Sequence, residues 1–469
     1  MSVILVRPKN ESVPEGVVST QHPINLGYLA SWLKKNNVRT ELLDLEVENL
    51  GRPAILEIIK KSNPLIVGLS CMTSTITAGH DIAKLVKENF PDLKVVVGGV
   101  HSTAIPHRTL KEFPCFDIVM RGEGEITFLE LYNTIVSGSD LSKVRGLVYR
   151  AQDNNFIDTG LRPLIEDLDI LPFPDREFLN ADLYKRTHTS RAFSRATKNI
   201  SEIMTARGCP YSCIFCASKV TFGSKVRYRS VKNIIAEMEE CAAKYKTNHF
   251  TILDDTFTFK KDVFYPVCDY LKSKKITWDC FTRVDRVDEE MVAKMVESGC
   301  EKVSFGLESG SQKMLNLIKK GITIDQIKKA FSICRKSRLR YIEATFMLGN
   351  HPLETMDDIK ATMDLIIELD PDLMAFSLTA PFPGTELNRI MKEGGYLGEE
   401  KWDEFVLYGG TPSWRFGSLK IDELKKIQKD FTRRFYLRPG YIFKELGKIK
   451  SLGEFFYWLR IGVSMIKAS

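Results

Sequence analysis

An α/β chain made of two successive parallel-sheet units and a helical tail is predicted by three observations. Short runs rich in Val and Ile alternate with amphipathic stretches over residues 1–140, and the same alternation returns over 193–400. Glycine or polar residues close nearly every run, and residues 401–469 carry a basic, aromatic, helical pattern. Alternation of this kind implies parallel strands joined by crossover helices.

In the first unit, VILVR (3–7), VRTELLDL (38–45), LIVGLS (65–70), LKVVVGG (93–99) and FDIVMRGEGE (116–125) read as five strands. Between them INLGYLASWLKKN, PAILEIIKKS, AGHDIAKLVKENF and GEITFLELYNTIVSG show helical periodicity with charged outer faces. The expectation is a doubly wound, Rossmann-like sheet whose ligand sits beyond the carboxyl ends of its strands. SCMTST (70–75), GGVHSTA (98–104) and RGEGE (121–125) fall at those ends. Their glycines let a backbone approach a flat or phosphate-bearing ligand, and tight turns alone would use them equally. No GxGxxG follows the first strand, which disfavours an ordinary dinucleotide site. His101, alone after a Gly-Gly turn, reads as readily as a local hydrogen-bonding group as a ligand.

Residues 141–192 read as a connector, with a polar-tipped hairpin in GLVYRAQDNNFIDTG and a proline-punctuated crossing in LPFPDREFLN. Six further strands follow: ISEIMTA (200–206), HFTILDD (249–255), TWDCFTR (277–283), KVSFGLE (302–308), IEATFML (342–348) and LMAFSLT (373–379). Helical stretches such as SVKNIIAEMEECAAKY and TIDQIKKAFSICRKS separate them. Six β/α units make a partial (β/α)6 barrel, with its chemistry at the carboxyl ends of the strands.

Composition bounds the rest. With 469 residues, 43% hydrophobic and 27% charged, the chain can bury the cores of two or three domains. The opening MSVILVRPKN lacks the long apolar core of a signal peptide, and no uncharged apolar run reaches the roughly 18 residues of a membrane span. A cytoplasmic location is expected. Of ten cysteines seven are scattered singly, so a disulfide framework is not expected. The formal charge of +7 sits in the tail, where residues 401–469 hold 14 Lys or Arg against 7 Asp or Glu.

The exception among the cysteines is TARGCPYSCIFCAS (205–218), which places Cys209, Cys213 and Cys216 directly after the first barrel strand. Thiolates converging from one short loop suit a soft metal or an iron-sulfur cluster. Structural zinc would want a fourth Cys or His nearby, and the nearest candidates, Cys241 and His249, lie a helix away. Three ligands on a four-iron cluster leave one iron open for substrate or cofactor.

The spacing CxxxCxxC, with Phe215 just before the last cysteine, resembles the motif of the radical S-adenosylmethionine enzymes. That resemblance implies a [4Fe-4S] cluster on Cys209, Cys213 and Cys216 whose open iron chelates S-adenosylmethionine (SAM). Reductive cleavage to a 5′-deoxyadenosyl radical follows, with a reductase, flavodoxin or ferredoxin as electron donor. LDDTFT (253–258), TRVD (282–285) and GLESGSQ (306–312) resemble further motifs of the family, implying SAM contacts at Phe215, Asp254, Asp255, Thr256, Arg283, Glu308 and Ser309. A buried salt bridge between strand ends is the plain alternative for the charged members. FMLGNHPLET (346–355) departs from the family's Gly-x-Pro-Gly-Glu-Thr turn by Leu353, and no role is carried onto it.

With a sheet domain in front, the chain looks like the cobalamin-binding subclass. The resemblance implies cobalamin contacts at Ser70, Met72, Thr73, Gly98, Gly99, His101, Gly122, Glu123 and Gly124. The Asp-x-His-x-x-Gly element by which many such domains ligate cobalt is absent; His22 in STQHPINLG (19–27) lacks its context. Cobalamin would then bind base-off without a protein ligand, or the sheet would serve as a substrate cradle. The implied reaction is methylation of an unactivated carbon, one SAM supplying the methyl group by way of the corrinoid and a second the radical. Ring formation, carbon-carbon bond formation or oxidation on a lipid or other hydrophobic substrate is the alternative within the family, and a non-enzymatic cobalamin sensor the alternative outside it. An RNA-directed methylthiotransferase would carry three further clustered cysteines, which Cys71 and Cys115 do not supply, so no nucleic-acid partner is expected. The tail interleaves its basic residues with 14 aromatics, among them Trp402, Trp414, Phe455, Phe456, Tyr457 and Trp458. It reads as a helical cap on the barrel, or as a peripheral membrane contact or apolar substrate mouth.

Overall fold

Apolar runs bounded by turn residues become strands where the pattern places them. The structure, a computed structural model, describes residues 2–11, 21–151, 155–177, 184, 199–406, 412–449, 452, 455 and 456. Strands β1 (Ser2–Arg7), β2 (Arg39–Asp44), β3 (Pro64–Ser70), β4 (Lys94–Gly98) and β5 (Ile118–Met120) pair in parallel in the order β2-β1-β3-β4-β5. Side chains alternate across this sheet into two cores. Ile4, Val6, Val67 and Val97 pack with Ile55, Ile59 and Val86, whereas Leu5, Ile66 and Val96 pack with Leu26, Leu29 and Phe128. Helices Arg52–Ser62 and Ile76–Asn89 therefore cover one face, and Ile24–Lys35 and Gly124–Ser137 the other. Burial on both faces explains why these strands read as continuous apolar runs.

Two departures concern β5. Only three residues of the run 116–125 are strand, because RGEGE turns away from the sheet, and short helices Val100–Ala104 and Pro106–Glu112 precede it. The hairpin expected in the connector forms as β6 (Leu147–Arg150) and β7 (Phe156–Asp158), its tip lying outside the described residues. It adds antiparallel to β5 and so extends the first sheet past residue 140, because β5 would otherwise leave an unpaired edge.

The second unit begins with β8 (Ile200–Ile203), followed by a two-stranded ribbon of β9 (Ala206–Arg207) and β10 (Arg227–Tyr228). Strands β11 (His249–Ile252), β12 (Thr277–Thr282), β13 (Cys300–Glu308), β14 (Tyr341–Leu348) and β15 (Leu373–Leu378) complete six parallel strands laid down in chain order from β8 to β15. This is the expected partial barrel. Partly exposed Thr251, Phe281, Gly306, Thr345 and Ala375 leave its lumen open to solvent. Nearer the amino ends of the same strands, buried pairs His249 with Asp279 (2.9 Å) and Lys302 with Glu343 (3.0 Å) fill it.

The tail reads partly as the cap it was expected to be. Helix Ile421–Tyr436 lies on the free edge of β15, where the Met374 N–H donates to the Tyr436 hydroxyl, which donates back to the Met374 carbonyl, both at 2.8 Å. Gln428 donates to the Phe376 carbonyl at 2.6 Å. Lys444 pairs with Asp370 at 2.7 Å, and Arg438 with the same carboxylate at 2.6 Å. Tyr436→Phe strips both partners from Met374, and an unpaired buried amide costs about 1–3 kcal/mol. The expected result is a lower thermal midpoint with cofactor absorbance retained, read by scanning calorimetry and optical spectra.

Candidate active site

The cysteine loop is set by the turn from β8 into the ribbon. Asp254, just beyond β11, accepts from the Thr205 N–H (2.6 Å), the Ala206 N–H (3.3 Å) and the Thr205 hydroxyl. Gly208 follows at φ +98°, where a Cβ would collide with the Lys225 carbonyl, so only glycine allows the two limbs to close. From there the loop runs through Cys209, Cys213 and Cys216. Its Ile214 N–H donates to the Ile318 carbonyl (3.1 Å), and Ile214 accepts from the Leu387 N–H (2.8 Å). Tyr211 is held from the β12 end, with the Arg283 guanidinium 3.6 Å over its ring and Arg286 donating to its hydroxyl at 2.6 Å.

The thiols oppose one another's ionisation. Burial raises the pKa of Cys209, with Asp255 and Cys213 adding to it. Cys216 keeps solvent contact, yet the protein mass around its sulfur, together with Asp255 and the other two thiols, pushes it up to about 11. Cys209 and Cys216 in that state need a cationic centre to hold them as thiolates. Among the described residues no three His, Cys, Asp or Glu side chains are arranged around a single-ion site. Three thiolates from one short loop are the donor set of a four-iron cluster with one iron left open.

Beside the loop lies a shallow pocket, about 270 Å³ with its open mouth, lined by Cys209, Tyr228, Asp254, Asp255, Thr256 and Phe259. Three of the residues expected to contact SAM thus meet here. Asp255 accepts from the Ser218 hydroxyl at 2.7 Å, and the Thr256 hydroxyl donates to the Asp255 carbonyl at 2.7 Å. Burial pushes Asp254 up to about 6 despite its three donors. Between the ordinary value of 3.8 and about 6 the folded chain holds more protons than the unfolded one, so stability falls as pH rises through that window. In ligand-free protein, the wild-type thermal midpoint measured against that of Asp254→Asn is therefore expected to drop from about pH 4 to about pH 7.

Arg283, Glu308, Ser309 and Phe215 do not line this pocket. Arg283 donates to Asp285 (2.8 Å) and to the Lys320 carbonyl (2.9 Å). Glu308, at φ +68°, pairs with buried Lys320 at 2.8 Å, the strand-end salt bridge foreseen as its alternative reading. Lys320 senses the Cys213 charge and lies 6.0 Å from the Phe215 ring centre. Ser309 is wholly buried, with its hydroxyl 3.1 Å from that of Thr362. Sequence reasoning missed Lys320 and Tyr211. Nothing in the string marks Lys320, whereas Tyr211 stood inside the cysteine motif.

A larger cleft, about 770 Å³ with its open mouth, lies at the carboxyl ends of the first sheet. Ser70, Gly98, Gly99, Gly122, Glu123 and Gly124 line it, six of the nine residues expected for cobalamin. Its floor reaches the apolar core at Leu5 and Phe128, and its far wall comes from the barrel through Met204, Arg207, Thr221 and Phe222. Gly99, at φ +105°, brings its α-carbon so near the Cys71 carbonyl that a side chain cannot be accommodated. Met72, Thr73 and His101 fall outside the lining. Met72 is exposed and Thr73 buried in the short turn after β3. His101 packs edge-on against Trp402 at 4.7 Å, and burial followed by the Arg108 charge holds it neutral at a pKa of about 3. His22 bonds to Glu202 and packs on Tyr184 at 4.2 Å. Among the described residues no histidine lines the cleft.

Comparison with known proteins agrees with the fold of both units. The family profile of the B12 binding domain matches residues 16–132, and that of the radical SAM superfamily matches 203–366. The chain is 33% identical over 449 residues to an uncharacterized methyltransferase of Pyrococcus horikoshii, covering 95% of each. It belongs to the cobalamin-binding radical SAM enzymes. The enzyme is also 27% identical to the anaerobic magnesium-protoporphyrin IX monomethyl ester cyclase of Rubrivivax gelatinosus, over 94% of this chain and 78% of that one. Its fold matches the methyltransferase TsrM of Kitasatospora setae, solved with cobalamin and a [4Fe-4S] cluster, at TM-score 0.69 and 19% identity over 84% of this chain and 79% of that one. The cobalamin-dependent enzyme OxsB matches at TM-score 0.74 and 17% identity over 99% of this chain and 71% of that one. The enzyme's cofactors are accordingly the cluster, SAM and cobalamin. As in its family, it acts on a small molecule and draws electrons from a donor.

Proposed function

We propose that the enzyme methylates an unactivated carbon of a small, hydrophobic molecule. The observation that carries this reading is the composition of the corrinoid cleft, whose far wall is built from the barrel segment that leads into and out of the cysteine loop. A group bound over Gly98, Gly99 and Gly122 would face that segment directly. When bound, the cluster supplies the electron that splits the SAM sulfonium, and cobalamin supplies a cobalt able to carry a methyl group. The chain's own part is positional. Cys209, Cys213 and Cys216 would hold the cluster; Asp254, Asp255 and Thr256 would receive the polar end of SAM; Arg283, Glu308 and Phe215 would shape the rim, with buried Ser309 supporting the strand end behind Glu308; Ser70 and the glycine turns would cradle the corrin. Flavodoxin, ferredoxin or a reductase would deliver the electrons. Anaerobic protein loaded with cluster and cobalamin, given SAM and dithionite, is expected to release both 5′-deoxyadenosine and S-adenosylhomocysteine. Release of 5′-deoxyadenosine alone favours ring-forming or oxidative chemistry, and release of neither favours a sensor.

Residues of the tail support a cytoplasmic enzyme resting on an anionic membrane. No helix among the described residues is long and apolar enough to cross one. Helix Pro439–Leu446 buries Tyr441 and Glu445 against the barrel while Ile442, Phe443 (74% exposed) and Leu446 face outward, followed by exposed Leu452 and Phe456. Tyr457 and Trp458 lie outside the described residues. Anionic liposomes are expected to sediment the protein; failure to do so, with turnover unchanged after removal of residues 440–469, removes this reading.

A further inference from the structure

The short ribbon β9–β10 separates the two pockets, and its two faces belong to different sites. Residues directly opposite in an antiparallel pair share a face, and here Ala206 stands opposite Tyr228 and Arg207 opposite Arg227. Ala206 and Tyr228 line the pocket beside the cysteines, whereas Arg207 lines the corrinoid cleft.

Carboxylates grip the ribbon from both sides. On the pocket side, Asp254 takes the Thr205 and Ala206 N–H groups. On the cleft side Glu123 accepts from Arg207 (2.9 Å) and Arg227 (2.8 Å), and Glu125 accepts from Arg207 at 2.6 Å. All four of those side chains are buried. Arg207 also lies 5.2 Å from the ring centre of Tyr28 and 5.7 Å from that of Phe222, both in the cleft wall. Cys209 follows Arg207 by two residues, and Gly208 between them packs its α-carbon closely against the Lys225 carbonyl of the other limb.

We propose that this ribbon is a shared septum that couples filling of the corrinoid cleft to filling of the SAM pocket, with Arg207 as a positioning residue anchored by Glu123 and Glu125. The proposal rests on the reading of the two pockets given above. A ligand on either face braces the ribbon, so the second ligand meets a wall already ordered and binds more tightly. Linkage requires the effect to be reciprocal.

The test is the affinity of cluster-loaded protein for hydroxocobalamin, read by absorbance, with and without S-adenosylhomocysteine as an unreactive occupant of the SAM pocket. For the wild type the affinity is expected to rise about tenfold when that occupant is present. In Glu125→Gln and in Arg207→Lys the ratio should fall to within about twofold of one, and Glu125→Asp should restore part of it. Because the ratio is taken on one protein, damage that weakens binding in both conditions cancels, and circular dichroism checks that each variant is folded. A wild-type ratio near one, or an undiminished ratio in both Glu125→Gln and Arg207→Lys, overturns the coupling while leaving the two sites standing. No hydroxocobalamin binding under either condition overturns the cleft assignment and the coupling together.

Discussion

Replacing Cys213 with alanine is expected to reduce reconstituted iron from about four per chain to under about one, bleach the brown absorbance and bring 5′-deoxyadenosine formation to background. The effect is large because the loop offers three sulfurs and nothing nearby replaces one. The other seven cysteines are scattered through the chain, with six buried in apolar packing, and among the described residues no alternative group of donors is assembled. Fold should survive, since the loop is tied through the backbone of Ile214 and the ring of Tyr211. Iron analysis and far-ultraviolet circular dichroism on the same sample separate loss of the cluster from loss of the protein. Full iron content in Cys213→Ala would remove the cluster assignment.

Gly99→Ala is expected to weaken corrinoid binding at least tenfold and to lower the thermal midpoint, at a cost of about 2–4 kcal/mol. Two penalties add. The residue sits at φ +105°, and its new methyl group would meet the carbonyl of Cys71, a backbone atom that cannot swing aside. Relief requires β4 and the turn after β3 to move apart, and β4 lines the cleft through Val96 and Gly98. Gly98→Ala provides the contrast, because its methyl group would meet only the flexible end of Met120 at 3.4 Å. A smaller loss at position 98 than at 99, measured by hydroxocobalamin titration, confirms that the backbone approach controls the floor. Equal losses would argue that the cleft merely resents added volume.

The first sheet was legible because its strands are buried on both faces and so leave unbroken apolar runs, as in VILVR and KVVVGG, and the second because apolar residues alternate with lumen-facing polar ones, as in TWDCFTR. Helices with strong amphipathic patterns, such as Ile324–Lys336, followed for the same reason. The cysteine triplet implied the cluster through the family motif that its spacing resembles. What local pattern does not encode is pairing across the chain. Glu123 was expected to touch cobalamin, and it does line the cleft, but its carboxylate is taken up by Arg207 and Arg227 more than 80 positions away. His101 was expected in the same site and instead packs against Trp402, nearly 300 positions on. Lys320 met Glu308 through a loop that carries no motif.

The arginine and glutamate pairs across the ribbon bear on how such enzymes can be recombined. A foreign corrinoid module grafted onto this barrel would strand two buried guanidinium groups unless it arrived with matching carboxylates, and an orphaned buried charge is severely destabilising. The two halves are thus heritable as a matched set, and chimaeras that respect only the linker boundary should assemble poorly.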